Sequence, residues 1–256
     1  MSVLPISGIV ITCNEADNIK RCLESMSFCS ELLVVDSGSV DDTAARAHEL
    51  GARVIRQDWL GFGPQKQFAV EQASHDWVIC IDADEWLSPE LARAIEALLH
   101  AGPDAVGYSV PRRNFFLGRP MRFGGGYPDR KLRLFDRRHA RWSEDAVHEQ
   151  VVADGRVEAL NEDLMHDTAA DLDQATAKWA RYASQQASAM HREGARAGVG
   201  QLVFNPVARF FKLYILKQGF RDGRAGFAMA VFSAFFCFFK YLQLARLARS
   251  KAPRAP

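Results

Sequence analysis

The sequence predicts an α/β protein in which a mostly parallel sheet is flanked by helices and followed by a helical C-terminal extension. Over the first hundred residues, short apolar runs alternate with helix-like stretches, which is the pattern of βαβ units. Beyond about residue 169 the chain becomes polar and Ala-rich, then aromatic and basic. At 256 residues the chain is long enough for one sizeable α/β domain and a smaller appendage.

Four apolar runs in the first part are predicted strands. The helices that accompany them are predicted to begin near Asp17, Asp41, Pro64 and Pro89, because Asp41 or Asp42 suits an N-cap and Pro suits a first helical turn. We expect these strands in one parallel sheet with helices on both faces. The four runs are Ile6–Ile11, Leu32–Val35, Arg53–Ile55 and Trp77–Ile81.

Beyond Gly107 the pattern is less regular. Tyr108–Pro111, Lys131–Phe135 and Val147–Val152 are predicted strands, and a helix is predicted from about Asp171 to His191. An arginine-rich and glycine-rich loop follows Pro111; its guanidinium groups suit phosphates on an acceptor, although an ordinary solvated loop is an equally good interpretation. Its arginines are Arg112, Arg113, Arg119, Arg122, Arg130 and Arg133.

The stretch Val78–Glu85 is an apolar strand that runs into three acidic residues, Asp82, Asp84 and Glu85. Ligands of open α/β sheets bind at the carboxyl ends of strands, and Mg²⁺ or Mn²⁺ takes carboxylate and diphosphate oxygens. The pattern therefore predicts that Asp82 and Asp84 converge on a divalent cation. In the alternative, structural interpretation, Asp84 or Glu85 caps the helix near Pro89 and Asp82 is a solvated strand end.

Two further predicted strands end in polar side chains. Leu32–Val35 is followed by Asp36 and a Gly/Ser turn, and the first strand by Thr12, Asn14 and Glu15. Such groups can accept hydrogen bonds from the ribose or base of a nucleotide, whereas a turn that caps the next helix is the alternative for Asp36. Together with the acids described above, these side chains predict one polar rim along an edge of the sheet.

Four blocks, TCNEADNIKRCLES, VVDSGSVDDT, GFGPQKQFA and DWVICIDADEWL, occur in this order over about residues 5–90. In order and spacing they resemble the family 2 glycosyltransferases, which have a GT-A-type, Rossmann-like fold. The continuation through Val147-His148-Glu149, Leu164-Met165-His166 and Asn205-Pro206 resembles the subgroup of β-glucosyltransferases that act on the lipopolysaccharide inner core. The resemblance implies a catalytic domain over residues 1–168 and a helical C-terminal region over residues 169–256.

The resemblance also implies a role for each matching position. Asp84 would hold the divalent cation, together with Asp82. Gln67 departs from the family, which often has Asn after the Lys, but both side chains are amides. Lys66 opens a helix after a Gly-rich loop, where an ammonium could act on a diphosphate; an exposed helix Lys is the alternative. The donor-binding set is Thr12, Asn14, Glu15, Asp36, Lys66, Asp82 and Ala83.

Inverting transfer needs a base that takes the proton from the acceptor hydroxyl. Candidates lie in the stretch that begins at Trp142. The lipopolysaccharide subgroup favours Glu149, whereas the broader family favours Asp145; both acids could instead solvate a strand end. His166 follows an apolar pair and could be a third metal ligand, although a lone His is more often structural.

The net charge of +1 argues against a dedicated nucleic-acid binder. Basic residues are concentrated after Arg209, around the apolar, aromatic run Ala225–Phe239. This run is about fifteen residues long, shorter than the roughly twenty of a spanning helix, so we expect it to lie in an anionic membrane surface. A core or dimer helix is the alternative. Five cysteines without a CxxC pair, and the lack of an apparent secretory signal, predict a cytoplasmic setting.

The leading hypothesis is a metal-dependent, inverting glycosyltransferase at the cytoplasmic face of the inner membrane, bound peripherally or monotopically. The resemblance implies UDP-glucose as the nucleotide-sugar donor, a lipid-linked lipopolysaccharide core saccharide as the acceptor, and Mg²⁺ or Mn²⁺ as the cofactor. The alternatives are transfer to a polyprenyl phosphate or another envelope glycan, a nucleotidyltransferase, and a silent membrane scaffold.

Overall fold

The computed structural model describes residues 4–143, 149–169 and 172–250. The chain divides into two compact units, Met1–Arg113 with Asp129–His166, and Asn114–Pro128 with Asp167–Pro256. The sequence predicts a single boundary after residue 168, whereas residues 114–128 also group with the C-terminal helices. The extents of independently folding domains stay a prediction.

Short strands and helices alternate along the first unit. Its helices are α1 (Ile19–Glu24), α2 (Thr43–Glu49), α3 (Phe62–Glu71) and α4 (Pro89–Ala101). The strands of the described chain are β1 (Leu4–Thr12), β2 (Cys29–Asp36), β3 (Arg53–Arg56), β4 (Trp77–Asp82), β5 (Glu85–Leu87), β6 (Gly107–Phe116), β7 (Arg119–Pro120), β8 (Asp129–Asp136), β9 (Ala140–Trp142), β10 (Val151–Ala153), β11 (Val157–Ala159) and β12 (Leu164–Ala169).

The main sheet has the strand order β3-β2-β1-β4-β8-β6-β12-β5. Its first four strands pair in parallel, whereas β8 runs antiparallel to both β4 and β6. The register places Thr12 opposite Asp36 and Ile11 opposite Asp82. The carboxyl ends of β1, β2 and β4 therefore meet at one edge, as expected for parallel strands. The predicted mostly parallel sheet flanked by helices is confirmed.

The central strands are buried on both faces. Ile9 and Cys80 belong to one hydrophobic core, and Val10 and Ile79 to another. Because side chains alternate along a strand, adjacent residues in different cores show that helices cover both faces of the sheet. Helices α1 and α4 contribute to the core around Val10, and α3 to the core around Ile9.

Two predicted helix starts are refined by the structure. Helix α3 begins at Phe62, before Pro64, and its N-cap is Gly61 with a φ of 107°, a conformation that residues with a Cβ rarely adopt. Helix α4 is capped by Ser88, whose hydroxyl accepts the Leu91 N–H at 3.1 Å. The alternative prediction, in which Asp84 or Glu85 caps this helix, is therefore wrong.

The strand predicted over Val147–Val152 is observed only from Val151, as β10. Gln150 and Ser143 close the β9–β10 hairpin, since the Ser143 N–H donates to the Gln150 carbonyl at 2.8 Å. Residues 144–148, which include Asp145, lie outside the described residues. Residues 149 and 150 of the predicted strand belong to the connection of the hairpin and are not in a strand.

The second unit contains α5 (Leu172–Arg192), α6 (Val199–Phe211) and α7 (Gly223–Ser250). Trp179 of α5 packs against Phe232 and Phe236 of α7, with ring centroids 4.8 and 5.3 Å apart. A π-helical turn and a short 3-10 helix join α6 to α7, and an added Cβ at Gly226 would lie 1.9 Å from the Gly219 carbonyl oxygen. The tight connection therefore requires glycine at position 226.

Helix α7 is longer than the apolar run suggests. It has 28 residues, because the helix continues beyond Phe239 through residues of mixed polarity. By length and composition alone, the segment Gly219–Ala248 could cross a membrane, and 28% of its most apolar window is buried. The run Ala225–Phe239 was predicted to be too short to span, and it is part of a longer helix because the run measured only its uninterrupted apolar part. The placement of this helix in a membrane surface stays a prediction.

Candidate active site

Lys66 of α3 is a buried ammonium whose side chain is 1% exposed. Its Nζ lies 2.8 Å from Oδ1 of Asp82 and 3.1 Å from Oε1 of Glu149. Burial alone would lower the pKa of Lys66, but the carboxylates of Asp82 and Glu149 outweigh burial and raise it. An exposed helix Lys is therefore excluded, and a charged Lys66 joins two acids that are distant in sequence.

Asp82 lies between two buried cations. Arg133 of β8 places a guanidinium nitrogen 3.1 Å from Oδ2 of Asp82 and 2.9 Å from Oε1 of Glu85. Although burial raises the pKa of Asp82, Lys66 and Arg133 hold that pKa well below its usual range. Asp82 is thus an ionised, fixed carboxylate, and the interpretation of a solvated strand end is wrong.

Arg133 and Glu85 were not predicted in these roles. From the sequence, Arg133 is predicted to belong to a loop that suits acceptor phosphates, whereas its guanidinium is buried and contacts Glu85. A signal was present, because Arg133 interrupts the apolar run Leu132–Phe135, where a charge requires a partner. The pairing of β4 with β8 supplies that partner.

Other loop arginines are also paired. Arg112 contacts Asp129 at 2.6 Å and Glu85 at 3.1 Å. Arg113 contacts Asp163 at 2.6 Å. These guanidinium groups hold strand ends together within the unit, which is a structural role that the sequence did not indicate.

Trp142 of β9 forms one wall of a cavity of about 380 Å³ that Asp82 and Glu149 also line. The Lys66 ammonium lies 4.7 Å from the centre of the Trp142 ring. The indole N–H is buried and has no hydrogen-bond partner among the described residues. The carboxylates of Asp82 and Glu149 give the cavity acceptor groups.

Asp36 is fixed by its own turn. Its carboxylate accepts the backbone N–H groups of Gly38 and Ser39 at 3.0 and 2.9 Å, and the Ser39 hydroxyl donates to it as well. Gly38 has a φ of 94°, so glycine permits this turn. Asp36 remains at the strand edge predicted for nucleotide contacts.

The residues that follow β1 are held by hydrogen bonds to the turn that follows β2. Asn14 has a φ of 57°, and its side-chain oxygen accepts the Val40 N–H at 2.8 Å. Glu15 accepts the Asn18 amide at 2.8 Å. The Thr12 hydroxyl is buried and without a hydrogen-bond partner in the described part of the chain. The predicted rim of Thr12, Asn14, Glu15 and Asp36 is thus one edge of the sheet.

Asp84 and His166 come together across the sheet. Asp84 follows the buried Ala83 in the turn between β4 and β5, and antiparallel pairing places His166 of β12 opposite Glu85. The His166 Nε2 lies 3.5 Å from Oδ2 of Asp84. The strand β5, which the sequence did not indicate, therefore brings a histidine to the predicted metal-binding acid.

Comparison with known proteins gives a family match over more than half of the chain, including most of the first unit. The model of the family described as Glycosyl transferase family 2 matches residues 7–150. The chain belongs to this family. It is therefore a glycosyltransferase, and the predicted GT-A-type fold class is confirmed.

Relatives extend the likeness beyond the catalytic region. This chain is 34% identical over 238 residues to the lipopolysaccharide core biosynthesis glycosyltransferase LpsC of Rhizobium meliloti. The alignment covers 90% of this chain and 88% of that protein. The chain is also 34% identical to an uncharacterized glycosyltransferase of Rickettsia felis, over 90% of this chain and 85% of that protein. The similarity thus includes the C-terminal helices.

A solved structure shares the fold. The mannosyltransferase PcManGT of Pyrobaculum calidifontis, in complex with GDP-Man and Mn²⁺, aligns with a TM-score of 0.53 at 16% identity. The alignment covers 98% of this chain and 89% of that one. This likeness concerns the fold alone.

The acidic side chains of this glycosyltransferase are not equally available to bind a divalent metal ion. Among the described residues, no group of three His, Cys, Asp or Glu side chains could hold a metal ion together. Asp82 is engaged by two cations, whereas Asp84 and His166 form an oxygen and nitrogen pair. Such a pair fits Mg²⁺ or Mn²⁺ where a diphosphate completes the coordination.

Proposed function

We propose that the chain is an inverting, divalent-cation-dependent hexosyltransferase that moves glucose from UDP-glucose to a lipopolysaccharide core acceptor. The observation that carries the proposal is that Asp82 and Glu149, which line one cavity, are both held by the buried Lys66 at the carboxyl ends of the strands. A buried cation that fixes two carboxylates at a cavity wall suits a reaction in which one of them takes a proton from the acceptor.

Glu149 is the proposed general base. Its side chain is 20% exposed and lines the cavity, so an acceptor hydroxyl can approach its carboxylate. Lys66 positions one carboxylate oxygen through the 3.1 Å contact and leaves the other to accept the proton. Asp145, the alternative base, lies outside the described residues.

Asp84 and His166 are the proposed cation ligands, with Asp82 beside them as a fixed acid. A bound Mg²⁺ or Mn²⁺ would act as a Lewis acid on the leaving diphosphate. Lys66, whose pKa is raised, stays protonated during turnover and holds the carboxylates of Asp82 and Glu149 in place. The strand-end residues Thr12, Asn14, Glu15 and Asp36 would hold the nucleoside.

The acceptor class is supported by the relatives. The Rhizobium meliloti protein named for lipopolysaccharide core biosynthesis matches this chain nearly end to end. UDP-glucose as the donor is supported by the resemblance of the Val-His-Glu segment to inner-core glucosyltransferases. A polyprenyl phosphate or another envelope glycan is the acceptor alternative, which a panel of acceptors separates.

Association with a membrane surface is supported by the C-terminal unit, and the cytoplasmic face of the inner membrane stays a prediction. Helices α6 and α7 expose large apolar side chains, including Phe204 at 73%, Phe211 at 54% and Phe235 at 52%. Exposed aromatic residues on the same helix as Arg224 and Arg246 are typical of a surface that contacts an anionic interface.

The test uses the full chain with individual sugar nucleotides, Mn²⁺ or Mg²⁺, and truncated lipopolysaccharide, and it follows nucleoside diphosphate release. We expect UDP release that requires UDP-glucose, the acceptor and the cation, and that chelator abolishes. Asp84→Asn should lose this activity, whereas Asp154→Asn, whose side chain is 79% exposed, should retain it.

Turnover only with a polyprenyl phosphate acceptor would replace the acceptor assignment. Release of pyrophosphate instead of UDP would indicate nucleotidyl transfer. Full cellular function of a chain that carries both Asp84→Ala and Glu149→Gln would favour the scaffold and overturn the proposal.

A further inference from the structure

The C-terminal unit contains a cavity that the proposed transfer reaction does not use. It has a volume of about 640 Å³, within the ~300–1,000 Å³ of small-molecule sites, and helices α5, α6 and α7 line it. Its wall combines cations, aromatic rings and side-chain amides. We propose that this cavity is a binding site for an anionic saccharide, a sugar that carries a phosphate or carboxylate.

Three cations face the cavity. They are Arg209 of α6, Lys212 of the π-helical turn that follows α6, and Lys240 of α7. Among the described residues, no acidic side chain lines the cavity, and none of the three cations forms an ion pair with a carboxylate. Three like charges around one cavity repel each other, so a bound anion relieves this repulsion and receives charge-assisted hydrogen bonds.

Arg209 is held in place for this role. Its Nε donates to the Ser233 hydroxyl of α7 at 2.9 Å, and Ser233 is 8% exposed. This bond fixes the guanidinium and leaves its terminal N–H groups for a ligand, in the fork geometry that matches phosphate or carboxylate oxygens.

The rest of the wall suits a sugar. Trp179, Tyr182 and Tyr241 supply ring surfaces, and the C–H groups of a pyranose face are attracted to the negative face of an aromatic ring. Gln186 and Asn205 supply amides that both donate and accept, as sugar hydroxyls require. A simple anion would use the cations but neither the rings nor the amides.

A lipid chain fits this cavity less well than a saccharide. On α7 the cavity is lined by Ser233, Phe236 and Lys240, whereas the exposed apolar residues Phe227 and Phe235 follow a different stripe of the helix. Residues three or four apart share a helix face, so the two stripes face different directions. The inference concerns the cavity alone and does not depend on the transferase proposal.

The test measures binding to the full chain without any sugar nucleotide. Trp179 lines the cavity, so its fluorescence, taken as the difference from Trp179→Phe, reports occupancy. The probes are trehalose 6-phosphate, a phosphorylated lipopolysaccharide core oligosaccharide, trehalose and inorganic phosphate. We expect saturable binding of the two phosphorylated saccharides, and affinity about tenfold lower for trehalose and for phosphate alone.

The matched variants are Lys212→Gln with Lys240→Gln, and Arg224→Gln with Arg246→Gln. Both pairs remove two charges from the same unit, but only the first pair lines the cavity. We expect at least a tenfold loss of affinity in the first and none in the second. The inference is overturned if both variant pairs lose affinity equally. It is also overturned if inorganic phosphate binds as tightly as the sugar phosphates, or if neither phosphorylated saccharide gives a saturable signal.

Discussion

Lys66 of α3 and Asp82 at the end of β4 form an ion pair of 2.8 Å in which the lysine side chain is 1% exposed and the aspartate side chain 27% exposed. The pair joins a helix on one face of the sheet to the strand edge where ligands of α/β sheets bind. Glu149 extends the pair into the cavity, so one lysine connects both acids assigned to the reaction.

Replacing Lys66 tests this connection. Lys66→Met should lower the transfer rate about hundredfold, because it releases the carboxylates of Asp82 and Glu149 that Lys66 holds in place. The same substitution should lower the free energy of unfolding by about 2 kcal/mol. This loss is smaller than the loss expected when one partner of a fully buried ion pair is removed, because Arg133 still neutralises Asp82. Steady-state rates and urea unfolding measure both. The control Lys20→Met, at a side chain 67% exposed, should change neither quantity.

Glu149→Gln tests the general base. The amide cannot take a proton, so kcat should fall by about 10²–10⁴, whereas the KM for the donor should change little. Glu158→Gln, at a side chain 42% exposed, is the matched control. The assignment fails if Glu149→Gln retains its rate and Asp145→Asn loses it, because the proton would then pass to Asp145.

Asp84→Asn and His166→Gln test the cation ligands. Each should weaken Mn²⁺ binding in the presence of UDP by at least about tenfold, since each removes one of few protein ligands. The electron paramagnetic resonance signal of free Mn²⁺ measures the affinity. Equal Mn²⁺ affinity in His166→Gln and the unaltered chain would leave His166 with a structural role beside Asp84.

Glu31 predicts a pH dependence of stability in the first unit. Although burial raises the pKa of Glu31, hydrogen bonds from Ser7, Ser74 and Arg53 outweigh it and lower the pKa to about 2. The unfolded value is about 4.3, so the stabilisation is complete above that value and is lost as the pH falls towards 2.

Glu31→Gln should therefore lower the free energy of unfolding by roughly 1–2 kcal/mol near neutral pH. The difference from the unaltered chain should shrink steadily below about pH 4. Urea unfolding at a series of pH values measures it, with Glu90→Gln as a control at a side chain 63% exposed. A difference that is constant with pH would show that the hydrogen bonds do not favour the ionised form.

Phe227→Ser with Phe235→Ser tests the apolar surface of α7. Both side chains are about half exposed, at 50% and 52%, so their loss should lower the vesicle-bound fraction about tenfold with little effect on folding. Flotation with vesicles of phosphatidylcholine and phosphatidylglycerol measures binding. Val40→Ser, at a residue 92% exposed in the first unit, should bind vesicles as before.

Most of the sheet could be predicted from the sequence. The runs before Asp36 and Asp82 are continuous and apolar, as strands buried on both faces must be, and parallel pairing then places their carboxyl ends at one edge. Strand β5 was not predicted from the sequence, because a strand of three residues is too short to show the alternation of apolar and polar side chains. The length of α7 was not predicted either, but for a different reason. Polar residues end the apolar run in the sequence, whereas the helix continues through them.

The sequence by itself determined the α/β class, the family and the strand-end residues, because these depend on local periodicity and on short spacings. Only the tertiary structure decided which charges meet. Lys66, Arg133 and Glu149 come from separate elements, and the antiparallel strand β8 and the β9–β10 hairpin bring the last two to Asp82. Buried charges must find partners, and those partners are set by the pairing of distant strands, which no local pattern encodes.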